Sequence, residues 1–163
     1  MKIFALALAL LSPGPAAQNS SAGTYEVIAQ SGTCYIDARF PKPNGVETQI
    51  IIFASSEGYA FYIGRTDWDH RNGAKYNIDV MFYDPDWNAG SFEGEGMPAG
   101  VVGHAKSGAI FKGWAVGVTD NFVDALAQSR RMLVSEGGVI RADINLQGAG
   151  PYVARLRRCV AAL

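Results

Sequence analysis

The chain has 163 residues, within the span of one ordinary domain. Its formal net charge is −1 and 48% of its residues are hydrophobic. This composition excludes a disordered chain, and so small a charge exerts no global pull on nucleic acid or acidic membranes.

Met1-Lys2 is followed by Ile3 to Leu11 with no polar residue, then by Ser12-Pro13-Gly14-Pro15-Ala16-Ala17. A short positive start, an apolar run and a small-residue stretch with helix breakers predict a signal peptide over 1–22, cleaved between 16 and 22. The apolar run is far shorter than the ~20 residues a bilayer span needs. Pro13 and Pro15 would also end a buried N-terminal element at once. Loss of Lys2 leaves 13 Lys and Arg against 15 Asp and Glu, a net charge of −2. Residues 23–163 contain no second long apolar run, no repeat and no linker. They read as a single β-rich domain, soluble after cleavage and periplasmic or secreted.

Thr24 to Phe40 reads as strand, interrupted by the turn residues Ser31-Gly32. Pro41-Lys42-Pro43-Asn44-Gly45 is a loop by composition. Ile50-Ile51-Ile52-Phe53 is a continuous apolar run of buried-strand length. Ser55 to Gly58 turns it back into Tyr59–Ile63, so the pair reads as a hairpin. From Lys75 to Tyr83 the residues alternate, with Tyr76, Ile78, Val80 and Phe82 on one face and Asn77, Asp79, Met81 and Tyr83 on the other. The pattern weakens from Asp84 to Gly108 and recovers as strand from Ala109 to Val118. Asn121, with Asp124 three residues on, predicts the cap of a helix carrying Phe122 and Leu126 on one face. Glu136-Gly137-Gly138 joins two further strands, Met132–Ser135 and Val139–Leu146. Pro151 suits the first turn of a last helix. There Tyr152, Leu156, Cys159, Val160 and Leu163 form the apolar stripe, and Arg155, Arg157 and Arg158 lie opposite. The expected fold is mostly β with two helices, an antiparallel β-sandwich or curved sheet of about seven strands.

Cys34 lies in the first strand-like segment and Cys159 on the apolar stripe of the last helix. Two cysteines in an exported chain read as one bridge. It would tie the C-terminal helix to the first strand. A reactive thiol pair is the alternative, but redox pairs usually stand close in sequence.

Several motifs invite a chemical reading. Asp84, Asp86, Asn88 and Glu95 occupy positions 1, 3, 5 and 12 of a calcium loop. Ala89 replaces the glycine such a loop needs at position 6, and a strand rather than a helix precedes it. An exposed acidic hairpin loop is the plain alternative. Asp67, Asp69 and His70 around Trp68 suggest metal ligands or an acid–base group, and His104 beside Lys106 is a similar case. Zinc sites want several His or Cys ligands, and the chain has 2 His. Gly94-Glu95-Gly96-Met97-Pro98-Ala99 and Gly103 to Gly108 mimic phosphate loops. The first puts Glu95 where an anion would sit, and the second lacks the Lys-Ser that follows in a P-loop. No G-x-S-x-G elbow occurs, and the bridge would occupy both cysteines, so no catalytic residue is assigned. Trp68, Trp87, Trp114, Tyr59 and Tyr62 could supply either core or a binding surface.

An opening Tyr25-Glu26-Val27 strand with Cys34 and a closing set of Phe122, Leu126, Leu133, Leu146, Gly148, Leu156 and Cys159 give the chain a family likeness. It resembles small exported bacterial proteins with an early and a late cysteine. More remotely it is similar to the invasion-associated locus B family of periplasmic proteins. Tyr25 stands where that family often has Trp. The resemblance implies an envelope protein without catalysis and lends no site residues. The expected function is therefore an exported binding or interaction module with no cofactor, acting on a protein or envelope component and not on nucleic acid. A calcium-dependent module using 84–95 is one alternative, and a hydrolase built on Asp67, Asp69, His70 or His104 is another.

Overall fold

A computed structural model describes residues 22–42, 44–70, 76–83, 91–96, 101–103 and 110–163, with 91–96, 101–103 and 110 described by their backbone alone. The predicted signal segment lies outside these residues up to position 21.

Ten strands and two helices occur among the described residues: β1 (Thr24–Gln30), β2 (Thr33–Pro41), β3 (Glu47–Ser55), β4 (Gly58–Arg65), β5 (Tyr76–Tyr83), β6 (Ser91–Gly96), β7 (Val101–Gly103), β8 (Ile110–Val118), α1 (Asp120–Gln128), β9 (Arg131–Glu136), β10 (Val139–Asn145) and α2 (Gly150–Val160). The expected class is right, and the strand count exceeds the expected seven. Ser31 and Gly32 both take positive φ (50° and 76°), the backbone of a two-residue hairpin turn. The first segment is therefore two paired strands, and Cys34 falls in the second of them. β6 and β7 lie where glycine had weakened the pattern.

The strands form two antiparallel sheets. One has six strands in the order β1-β2-β3-β4-β8-β7, the other four in the order β10-β9-β5-β6. Apolar alternation decides which faces meet. Cys34, Ile36, Ala38 and Phe40 of β2, Ile50 and Ile52 of β3, and Phe61 and Ile63 of β4 share one buried core with Ile78, Val80 and Phe82 of β5 and Met132 and Val134 of β9. The predicted alternation in β5 therefore holds, and Met81 on its other face is 45% exposed.

The two helices complete the cover of the inner face. Phe122 of α1 packs against Phe61 (5.0 Å) and Phe82 (4.9 Å), one from each sheet. α2 packs on β1, β2 and β3 and against α1. The cap of α1 is Thr119, not Asn121, because the Thr119 hydroxyl accepts from the Phe122 N–H (3.4 Å) while Asn121 is already inside the first turn. The buried side of α2 is Val153 and Leu156, with Tyr152, Cys159 and Val160 at its margin and Leu163 exposed. The stripe is turned relative to the predicted one, because the helix end is set by the bridge rather than by its outermost leucine.

Cys34 and Cys159 are bonded, with Cα atoms 6.1 Å apart and a sequence separation of 125, and no cysteine is free. No helix among the described residues is long and apolar enough to cross a membrane.

β4 and β8 run close together where Gly64 faces Gly113. A Cβ at Gly113 would overlap the backbone of Ile63 and Gly64. Relief would require the ladder to separate, so Gly113→Ala is expected to cost about 3 kcal/mol in a urea melt. A loss under about 1 kcal/mol would show that the two strands have room to part.

Candidate functional site

The outer face of the six-stranded sheet carries a polar cluster. Pairing places Thr24, Arg39, Gln49, Gly64 and Gly113 in one cross-strand row, and Glu26, Asp37, Ile51, Tyr62 and Ala115 in the next. The glycines leave a depression that larger neighbours lean over. The guanidinium of Arg39 on β2 lies 5.8 Å from the ring of Phe111 on β8, although β3 and β4 stand between their strands. The long Arg39 side chain and the Phe111 ring meet across that span because nothing bulkier than glycine stands between them in the Gly64 and Gly113 row. Gln49 is consequently 1% exposed and Tyr62 3% exposed, though neither faces the core between the sheets.

Hydrogen bonds tie this floor together incompletely. Gln49 Nε2 donates to Asp37 Oδ1 (2.9 Å), and the Tyr62 hydroxyl donates to the Phe111 carbonyl (3.3 Å). Burial pushes the Tyr62 phenol up to about 12, so it stays protonated and acts as a donor. Arg39 pairs with Asp37 and Glu47, each at 3.5 Å. Gln49 Oε1 and Arg39 Nη2 are buried with no hydrogen-bond partner. Buried polar atoms are seldom left so, since each costs about 1–3 kcal/mol. A hollow of about 280 Å³ opens beside Arg39, lined by Thr24, Tyr25, Glu26, Asp37 and Arg39. Further along the same face Phe53, 38% exposed, lies 5.8 Å from Tyr35. A second hollow of about 260 Å³ adjoins Phe53, Glu57 and Tyr59.

No protein-family model, characterised protein or solved structure is detectably similar to this chain. The site is therefore read from its own chemistry.

Asp67, Asp69 and His70, singled out by sequence, are placed elsewhere and do not converge. Asp67 accepts two bonds from Arg65 (2.8 and 2.7 Å), which hold its carboxyl below the usual range. Asp69 is turned to solvent and paired with Lys112 (3.0 Å). His70 points the other way, into a cluster with Trp68, Tyr76 and Trp114. Among the described residues no hydrogen bond joins His70 to a carboxylate. Nor do three His, Cys, Asp or Glu side chains among them lie together as metal ligands. Asp84, Asp86, Asn88 and His104 lie outside the described residues. Glu95 pairs with Asn77 in the β5–β6 ladder, which sets it roughly 20 Å along the strand from Tyr83, the last residue before the proposed calcium loop. The two phosphate-like glycine runs include residues outside the described set. The β6 part of the first is strand, not the helix start an anion would need.

Asp37, Arg39 and Gln49 were not singled out from sequence, and Tyr62 was only one of the aromatics that could supply core or a binding surface. A signal existed in β2, where Tyr35, Asp37 and Arg39 alternate with Cys34, Ile36, Ala38 and Phe40 and mark a polar outer face. Gln49 sits at the polar start of β3, just before the apolar run Ile50–Phe53, and gives no such signal.

Chemically, the outer-face cluster offers a donor, an acceptor and two carboxylates already compensated by Arg39. It contains no nucleophile with a base in reach.

Proposed function

We propose that this protein is an exported envelope or periplasmic binding module that engages a protein or envelope component without catalysis. Its contact surface is the outer face of the six-stranded sheet. The observation that carries this reading is the pair of buried atoms without a hydrogen bond, Gln49 Oε1 and Arg39 Nη2 (the latter held only by its ion pair with Asp37), in a cluster whose Arg39 lines an open hollow. A partner's polar groups would satisfy both, and Phe53 with Tyr35 supplies an exposed aromatic anchor on the same face. The Cys34–Cys159 bond is consistent with an oxidising compartment outside the cytoplasm. The resemblance to the invasion-associated locus B family points the same way.

Capture from envelope extract by the immobilised protein tests the reading when run beside two variants. Phe53→Ala removes a half-open side chain, and Gln49→Met removes the orphan acceptor at similar volume. Each is expected to weaken capture at least tenfold, a hot-spot effect of about 1.4 kcal/mol or more. Phe53→Ala should leave the melting midpoint nearly unchanged. Capture equal to the native protein by both variants would remove this face from consideration.

A further inference from the structure

His70 stands where the chain leaves one sheet for the other. β4 ends at Arg65 in the six-stranded sheet and β5 begins at Tyr76 in the four-stranded sheet. The imidazole lies 4.6 Å from Trp114 on β8, 4.9 Å from Tyr76 on β5 and 5.0 Å from Trp68 in the crossover itself. One ring thus touches both sheets and the segment that joins them. Its Nδ1 is buried with no hydrogen-bond partner.

The charged groups around it are already matched. Asp69 and Lys112 pair at 3.0 Å, and Glu136 and Arg141 at 2.8 Å across the β9–β10 hairpin. Arg65 binds Asp67 and the Arg141 carbonyl and lies 5.7 Å from the Trp68 ring. Each nearby carboxylate therefore has its own cation. Burial holds the His70 imidazole below its ordinary value. Glu136 and Asp69 oppose that shift, while Arg141 and Lys112 add to it.

We propose that His70 is an acid-sensitive latch: neutral, it ties Trp68 to Tyr76 and Trp114 of the two sheets, and protonated, it leaves the aromatic cluster and lets that end of the sandwich open. The latched state binds fewer protons than the open one. Its advantage is complete above the ordinary histidine value of 6.5 and declines as pH falls below it.

The chain has only two histidines, so His104→Gln leaves His70 as the single imidazole for proton NMR titration. His70 is expected to titrate below 6.5. Between pH about 7.5 and about 5, amide protection at Tyr76–Ile78 and Phe111–Trp114 should fall at least tenfold while the centre of β2 and β3 holds. His70→Phe, which fills the cluster with a ring that takes no proton, should abolish the change. Should that variant fail to fold, the titration and the regional contrast in the native protein decide the matter. Titration at or above 6.5 would show that the rings hold the imidazolium and overturn the latch. So would an equal loss of protection throughout both sheets, or persistence of the regional loss in His70→Phe.

Discussion

Breaking the Cys34–Cys159 bond is expected to cost the protein about 4–5 kcal/mol, the chain-entropy value for a loop of this length. The bond closes a loop of 125 residues, so it restrains most of the unfolded chain described here. It also acts on the folded side. Cys34 is fully buried on β2, and α2 reaches the sheet through Val153 and Leu156. With Cys159 released, the last turn of α2 keeps only partly buried contacts. Domains of this size are commonly stable by about 5–15 kcal/mol, so the double variant Cys34→Ser/Cys159→Ser should be marginal near body temperature. Denaturant melts of native and variant protein measure the difference, and alkylation of the native protein should find no free thiol. A loss under about 1 kcal/mol would mean that α2 docks without its tether. Free thiols in the native protein would remove the bridge altogether.

Trp114→Ala should be nearly as severe, with an expected loss of about 3–5 kcal/mol. The side chain is fully buried and lies 4.4 Å from Trp68, 4.6 Å from His70 and 6.2 Å from Tyr76. Its removal leaves a void shared by both sheets and the crossover, which a β-ladder on each side cannot close by collapse. Trp114→Phe separates packing from hydrogen bonding. The indole Nε1 has no hydrogen-bond partner, so its loss forfeits no bond, and the smaller ring is expected to cost about half as much as alanine or less. Equal losses in the two variants would show instead that the indole N–H makes a bond that matters. Midpoints in urea at constant slope measure both.

Much of the fold was legible because strand and helix periods write themselves into apolar spacing. The β3–β4 hairpin, the β5 alternation, the Gly137-Gly138 hairpin and the Pro151 start of α2 all follow from local residue order. The errors are local too. Ser31 and Gly32 were legible as turn residues, but that the turn is tight enough to pair the two halves as β1 and β2 is decided by their positive φ. Thr119 and Asn121 can both cap a helix, and the backbone decided between them.

The site was scarcely legible. Asp67, Asp69 and His70 stand together in sequence, yet a turn sends the carboxylates to Arg65 and Lys112 and the imidazole onto the Trp114 ring. Adjacent residues in an extended segment face opposite ways, so closeness in sequence argued against convergence. Conversely, Asp37, Arg39, Gln49 and Tyr62 come from three strands and meet only through register.

By itself the sequence determined the β-rich class, the two cysteines that bond and the faces of most strands. Period and composition carry that information within a few residues. Tertiary structure alone decided that the bridge reaches β2, that Arg39 and Gln49 share a buried and incompletely satisfied cluster, and that His70 joins the two sheets. Those facts depend on which strands pair, in which register and with what curvature. Pairing is chosen by the whole core at once, and no short stretch of sequence contains it.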